Sequence, residues 1–152
     1  MPNVVTTEGL DELRARFARF PQKYNAGVEK ALQGSLLAIH EQVRPYPAQR
    51  KNSWYKRTGM LGRSLGVSEG GGIAGKPDIY KVHKPGENYE AVFGTSLYYA
   101  PRVIGDLGQQ EYPWNRYWWR IDQVANSAEA KIIEIFTGLA EKLAKFLDGQ
   151  GV

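Results

Sequence analysis

Gly70-Gly71-Gly72-Ile73-Ala74-Gly75-Lys76 has the G-x-x-x-x-G-K spacing of a loop that cradles phosphate with backbone N–H groups. That chemistry requires a strand before the loop, a helix after it, and a Ser or Thr after the lysine to hold magnesium. Here Pro77 follows Lys76 and the next residues alternate as a strand, so the run reads as a plain glycine loop. The chain has two histidines, His40 near the end of a predicted helix and His83 at the end of a predicted strand. No carboxylates are spaced to join them around a metal ion. The serines lack the strand–turn–helix setting of an activated nucleophile. The acidic residues fall at helix starts and on polar helix faces, where solvation accounts for them. The residues therefore predict no catalytic, cofactor-binding or metal-binding set, and a protein that is not an enzyme.

Two other groupings fit binding. Tyr112, Trp114, Tyr117, Trp118 and Trp119 cluster before the last helix, with Arg116 and Arg120 interleaved. Tryptophan and tyrosine bury large areas while keeping a polar handle. The cluster suits a core anchor, a protein interface, or a platform that stacks bases or sugars. Trp54, Trp114 and Trp118 are the candidate interface aromatics. The second grouping is electrostatic. Between Glu41 and Glu69 there is no acidic residue and there are six basic ones, Arg44, Arg50, Lys51, Lys56, Arg57 and Arg63. Such a patch attracts phosphate or an acidic protein surface, and a solvated loop is the plain alternative. Arg50, Lys51, Lys56, Arg57 and Arg63 are the candidate contacts.

These groupings need elements to carry them. Thr6 and Thr7 are candidate caps for a first helix, with Glu8, Asp11 and Glu12 in its first turn and Leu10, Leu13, Phe17 and Phe20 at helical spacing. Pro21 is expected to end or kink it. A second helix follows from the stripe Tyr24, Val28, Leu32, Leu36, Ile39, Val43, and Pro45 and Pro47 stop it. A short helix over 58–65 places Leu61 and Leu65 on one face, with Thr58 as a cap. Gly66 to Gly75 reads as a flexible, glycine-rich loop. Ile79–His83 and Tyr89–Phe93 alternate as the strands of a hairpin. Leu97–Ile104 is a third strand or a buried turn. From Ile121 the apolar spacing is helical almost to the C-terminus, with Asp148-Gly149 as the stop. That helix is roughly 40 Å long, enough to extend past a small sheet and leave apolar surface for a neighbour.

The fold class predicted is α+β, with a small antiparallel sheet packed against a long N-terminal and a long C-terminal helix. At 152 residues it forms a single domain spanning 1–152. The net charge is +4, and there is no cysteine and hence no disulfide framework. No apolar run reaches the roughly 20 residues of a membrane span. The start, MPNVVTTEGLDEL, lacks the basic residues and apolar segment of a secretory signal.

The order of parts then becomes informative. A Gly9-Leu10-Asp11-Glu12-Leu13 helix, a long helix and a proline break precede Arg57-Thr58-Gly59-Met60-Leu61-Gly62-Arg63-Ser64-Leu65. Strands follow, with Ala91-Val92-Phe93-Gly94-Thr95 and Tyr98-Tyr99-Ala100, and a long helix closes the chain. This layout resembles the tail-completion and head–tail joining (neck) proteins of long-tailed bacteriophages, the family that includes the minor tail protein Z type. The family's R-T-G-x-L-x-x-S-[IL] stretch is matched at Arg57, Thr58, Gly59, Leu61, Ser64 and Leu65. Its other elements are matched at Phe93-Gly94-Thr95 and Tyr99-Ala100. Here the tyrosine-alanine pair follows the F-G-T run instead of preceding it, and a tryptophan-rich segment stands where an apolar, proline-containing stretch is expected. The resemblance implies a structural virion protein at the head–tail interface, present in the host cytoplasm during assembly. Its implied partners are copies of itself in a ring, six in number, and neighbouring connector, tail-tube or terminator proteins, with a passing contact to genomic DNA and none to membrane. A tail terminator capping the tube, or a non-specific nucleic-acid-binding protein using the Arg44–Arg63 stretch, are the alternatives.

Overall fold

The computed structural model describes residues 9–45, 51, 58–105 and 119–150. Its elements in order are α1 (Leu10–Glu41), α2 (Met60–Ser64), β1 (Ile79–His83), β2 (Glu90–Gly94), α3 (Ala100–Val103) and α4 (Ile121–Leu147). The class is α+β, as the sequence predicts. The two long helices pack on each other, and a two-stranded antiparallel sheet lies against α1.

The two predicted N-terminal helices are one. α1 runs unbroken through Pro21. A proline inside a helix loses one backbone hydrogen bond and crowds the preceding turn, at roughly 3 kcal/mol. Tertiary contact on both sides of the proline outweighs that local cost. Arg16 Nη1 donates to the Leu147 carbonyl at 3.4 Å, and Lys23 Nζ lies 5.5 Å from the centre of the Phe146 ring. α1 starts after Gly9, whose φ is 93°, with no side-chain cap. Thr6, Thr7 and Glu8 lie outside the described residues. At the other end α1 stops at Glu41, and Val43 is buried just beyond it.

α4 begins and ends where the spacing predicts. Gln123 Oε1 accepts the Arg120 N–H at 3.2 Å, closing its first turn, and Gly149 turns left-handed after its last (φ 77°). α4 is antiparallel to α1. Arg16 meets Leu147, and a side chain built on Gly34 would touch Ile135.

The hairpin forms as predicted, its second strand one residue later than Tyr89–Phe93, in a register that pairs Tyr80 with Phe93 and Val82 with Ala91. Tyr80 and Phe93 face α1, with the His40 ring 5.9 and 5.6 Å from theirs. A two-stranded ribbon is only marginally stable alone, so this packing onto α1 is what holds it. Leu97 to Ile104 is a turn followed by α3, not a third strand.

The core gathers at one end of the helix pair. Val43, Leu61, Leu65, Val67, Ala100, Ile104, Trp119 and Val124 form it, and Leu65 and Val124 have no exposed surface. Leu61 and Leu65 thus share one face, as expected. Trp119 takes the core-anchor role among the readings of the aromatic cluster; Tyr112, Trp114, Tyr117 and Trp118 lie outside the described residues.

The glycine loop is more ordered than its composition suggests. The Ala74 and Gly75 N–H groups donate to the Gly66 carbonyl at 2.8 and 3.2 Å, and Ser68 N–H donates to Gly72 O at 3.1 Å. His40 Nε2 donates to the same Gly66 carbonyl at 3.0 Å, tying the loop to α1. Gly66 sits at φ 67°, and a Cβ there would lie 2.5 Å from Gly75 O. Glycine is needed at this position for left-handed backbone and close approach, not for mobility.

Candidate assembly interface

The residues that carry the family resemblance converge. α2 supplies Leu61, Ser64 and Leu65. Ser64 is buried; its hydroxyl donates to Leu61 O at 2.8 Å and accepts from Thr95 Oγ1 at 2.6 Å. Thr95 Oγ1 in turn accepts Leu97 N–H at 3.2 Å, and Ser64 O accepts Asp78 N–H at 2.8 Å. Tyr99 and Ala100 pack in the same cluster. Serine and threonine here act as a polar pin between α2 and the end of β2. Among the described residues the hydrogen-bond partners of the Ser64 hydroxyl are Leu61 O and Thr95 Oγ1.

The basic stretch is partly described. Arg44, Lys51 and Arg63 are exposed. Arg50, Lys56 and Arg57, and the aromatics Trp54, Trp114 and Trp118, lie outside the described residues. Arg63 Nη2 donates to Thr58 O at 3.0 Å, which braces the turn into α2. Thr58 Oγ1 accepts Met60 N–H at 3.4 Å, but the cap position expected of Thr58 is taken by Gly59, which enters α2 left-handed with no side-chain cap. The positive run is not unopposed in space. The Glu69 carboxylate and the Arg63 guanidinium both come within 3.8 Å of where a Gly59 side chain would start. At the other end, burial and the nearby Glu41 carboxylate hold the Tyr80 hydroxyl above its ordinary pKa.

The two histidines have structural surroundings. His40 is buried and committed to Gly66 O. His83 Nε2 lies 3.4 Å from Glu90 Oε2, its cross-strand partner. The lysine of the G-x-x-x-x-G-K run leads into buried Pro77 and then β1, not a helix. Among the described residues no group of three His, Asp or Glu side chains is placed to hold a metal, and no helix is long and apolar enough to cross a membrane.

Sequence reasoning expected uncovered apolar surface on the long C-terminal helix but missed it on α1. Leu10, Leu13, Phe17 and Tyr24 on α1 read as core positions by their spacing, yet each is exposed, Phe17 at 58%. Ile133 on α4 is equally exposed at 58%, and Tyr98 at 93% stands almost free beside Tyr99. The signal available was length: a helix pair reaching past a small sheet must leave one end uncovered. Such surface suits protein–protein contact better than catalysis. Comparison with family models, with curated proteins and with solved structures finds no match for this chain.

Proposed function

We propose that the chain is a structural protein of a long-tailed phage, forming a ring at the head–tail interface that completes the tail and joins it to the head. The observation that carries this reading is the convergence of the motif residues. Ser64 and Thr95, from two separate family elements 31 residues apart, bond to each other, and Leu61, Leu65, Tyr99 and Ala100 from the same elements share one apolar cluster. A chance match of short motifs carries no requirement that they meet in one cluster. The exposed apolar end of the helix pair supports the same reading, because a ring subunit needs surface for its neighbours. Arg63 and Lys51 stand exposed for docking to an acidic neighbouring ring.

The reading is tested by adding purified protein to an extract that holds separate heads and tails. Joined particles increase if the chain completes the tail, and no increase refutes the role. Tails of irregular length in phage lacking the chain would assign it to the terminator instead.

A further inference from the structure

We propose that copies of this chain associate head to tail through their long helices, the exposed half of the α1 stripe of one copy seating on the outer face of α4 of the next. The inference deepens the ring reading above and rests on it.

At 3.6 residues per turn, Leu10, Leu13, Phe17, Tyr24, Ala31 and Ala38 fall within an arc of about 80°. They form a single stripe. Its C-terminal members, Ala31 and Ala38, are buried by the body, while its N-terminal members are exposed. Those four exposed side chains present roughly 350 Å² of apolar surface, given the usual areas of such residues. A standard interface takes about 800 Å² from each partner, a little over half of it apolar. The stripe therefore supplies most of the apolar area, and a little under half of the total, that one side of a stable contact needs.

The complementary surface is on α4. Ile133, Ala140 and Ala144 fall within an arc of about 40°, turned away from the residues that pack on α1, and all three are exposed. Two alanines beside one isoleucine leave a shallow groove of the kind that accepts bulky side chains of a second helix. Charge selects the pairing. Glu129, Glu141 and Asp148 border the α4 face, whereas Lys131, Lys142 and Lys145 lie on the opposite side of that helix. The α1 stripe is bordered by the exposed Arg14, which pairs with Asp11 at 3.8 Å, and by Lys23, whose Nζ lies 5.5 Å from the centre of the Phe146 ring. Stripe against stripe would bring like charges together, while stripe against the α4 face brings opposite ones together. Contact between two different surfaces closes into a ring when the rotation from copy to copy closes, and a contact between identical surfaces stops at a dimer.

The chain has no cysteine, so engineered pairs read without background. Phe17→Cys and Ile133→Cys alter two exposed positions and are prepared in the full chain. Within one copy the two sites cannot meet. Phe17 lies about 25 Å along the helix pair from the level of Ile135. Mild oxidation of an equal mixture should give a disulfide-linked dimer that neither variant gives alone, and the double variant should give a ladder. A Phe17→Cys dimer as strong alone as in the mixture would overturn the proposal in favour of α1 against α1. Absence of any dimer from the mixture, with both variants folded by circular dichroism, would also overturn it. The head–tail joining assay is independent. A chain that joins particles but does not cross-link fails this inference and leaves the function standing.

Discussion

Gly66 offers the sharpest test of how the body is built. Substituting alanine has two separable costs. The backbone sits at φ 67°, where an L side chain costs about 1–2 kcal/mol. The new Cβ would also lie 2.5 Å from Gly75 O and 2.9 Å from Gly75 C, both backbone atoms that cannot swing aside. Relief requires moving Gly66 away from Gly75, and the Gly66 carbonyl is the one that accepts from Ala74, Gly75 and His40. Weakening those hydrogen bonds, at about 1 kcal/mol net each, adds roughly 1–3 kcal/mol. Gly66→Ala should therefore destabilise by about 2–5 kcal/mol, a large part of a typical domain's stability. Two neighbours serve as controls. Gly72→Ala meets nothing within 4 Å but has φ 84°, so only the backbone cost of about 1–2 kcal/mol applies. Gly70→Ala meets nothing and needs no left-handed backbone, so it should be neutral or stabilise by a few tenths of a kcal/mol. Urea unfolding followed at 222 nm gives all three from the midpoints. If Gly66→Ala costs no more than Gly72→Ala, the close approach of the loop's two ends is wrong.

Other expectations follow from the same contacts. Pro21→Ala, at an exposed position inside α1, should stabilise by about 2 kcal/mol, because a helix-interior proline is replaced by the best helix former; urea unfolding checks it. Thr95→Val removes the donor to Ser64 and the acceptor for Leu97 N–H, at a cost of about 1–3 kcal/mol. A double-mutant cycle with Ser64→Ala should show coupling of about 0.5 kcal/mol or more, and simple additivity would refute the pin. The Asp122 carboxyl is held below its ordinary value of 3.8, first by the Arg120 side chain. Its folded pKa is depressed, so its contribution to stability is present above 3.8 and is lost as the pH falls toward the lowered value. Asp122→Asn should flatten that part of the acid limb of an unfolding curve measured against pH.

Much of the scaffold was legible because local signals and packing agree. The strand Ile79–His83 is where the alternation predicts it, Glu90–Gly94 lies one residue beyond the predicted Tyr89–Phe93, and α4 stops at Asp148-Gly149 as its cap residues require. Pro21 misled because a local rule was opposed by packing from α4, which lies 100 or more residues away in sequence. The Gly66–Gly75 run misled because composition alone does not separate glycine that permits motion from glycine that permits contact. The bond between Ser64 and Thr95 was invisible for a related reason: each residue type is ordinary, and only the fold brings them together. The exposed stripe from Leu10 to Tyr24 was legible as apolar helix but not as uncovered, since periodicity reports a face and not what covers it.

The most direct test of the central claim is electron microscopy of particles made by phage lacking this chain. The account predicts full heads and finished tails lying separate, restored to joined particles when the wild-type chain is supplied. Joined, normally proportioned particles in its absence would contradict it.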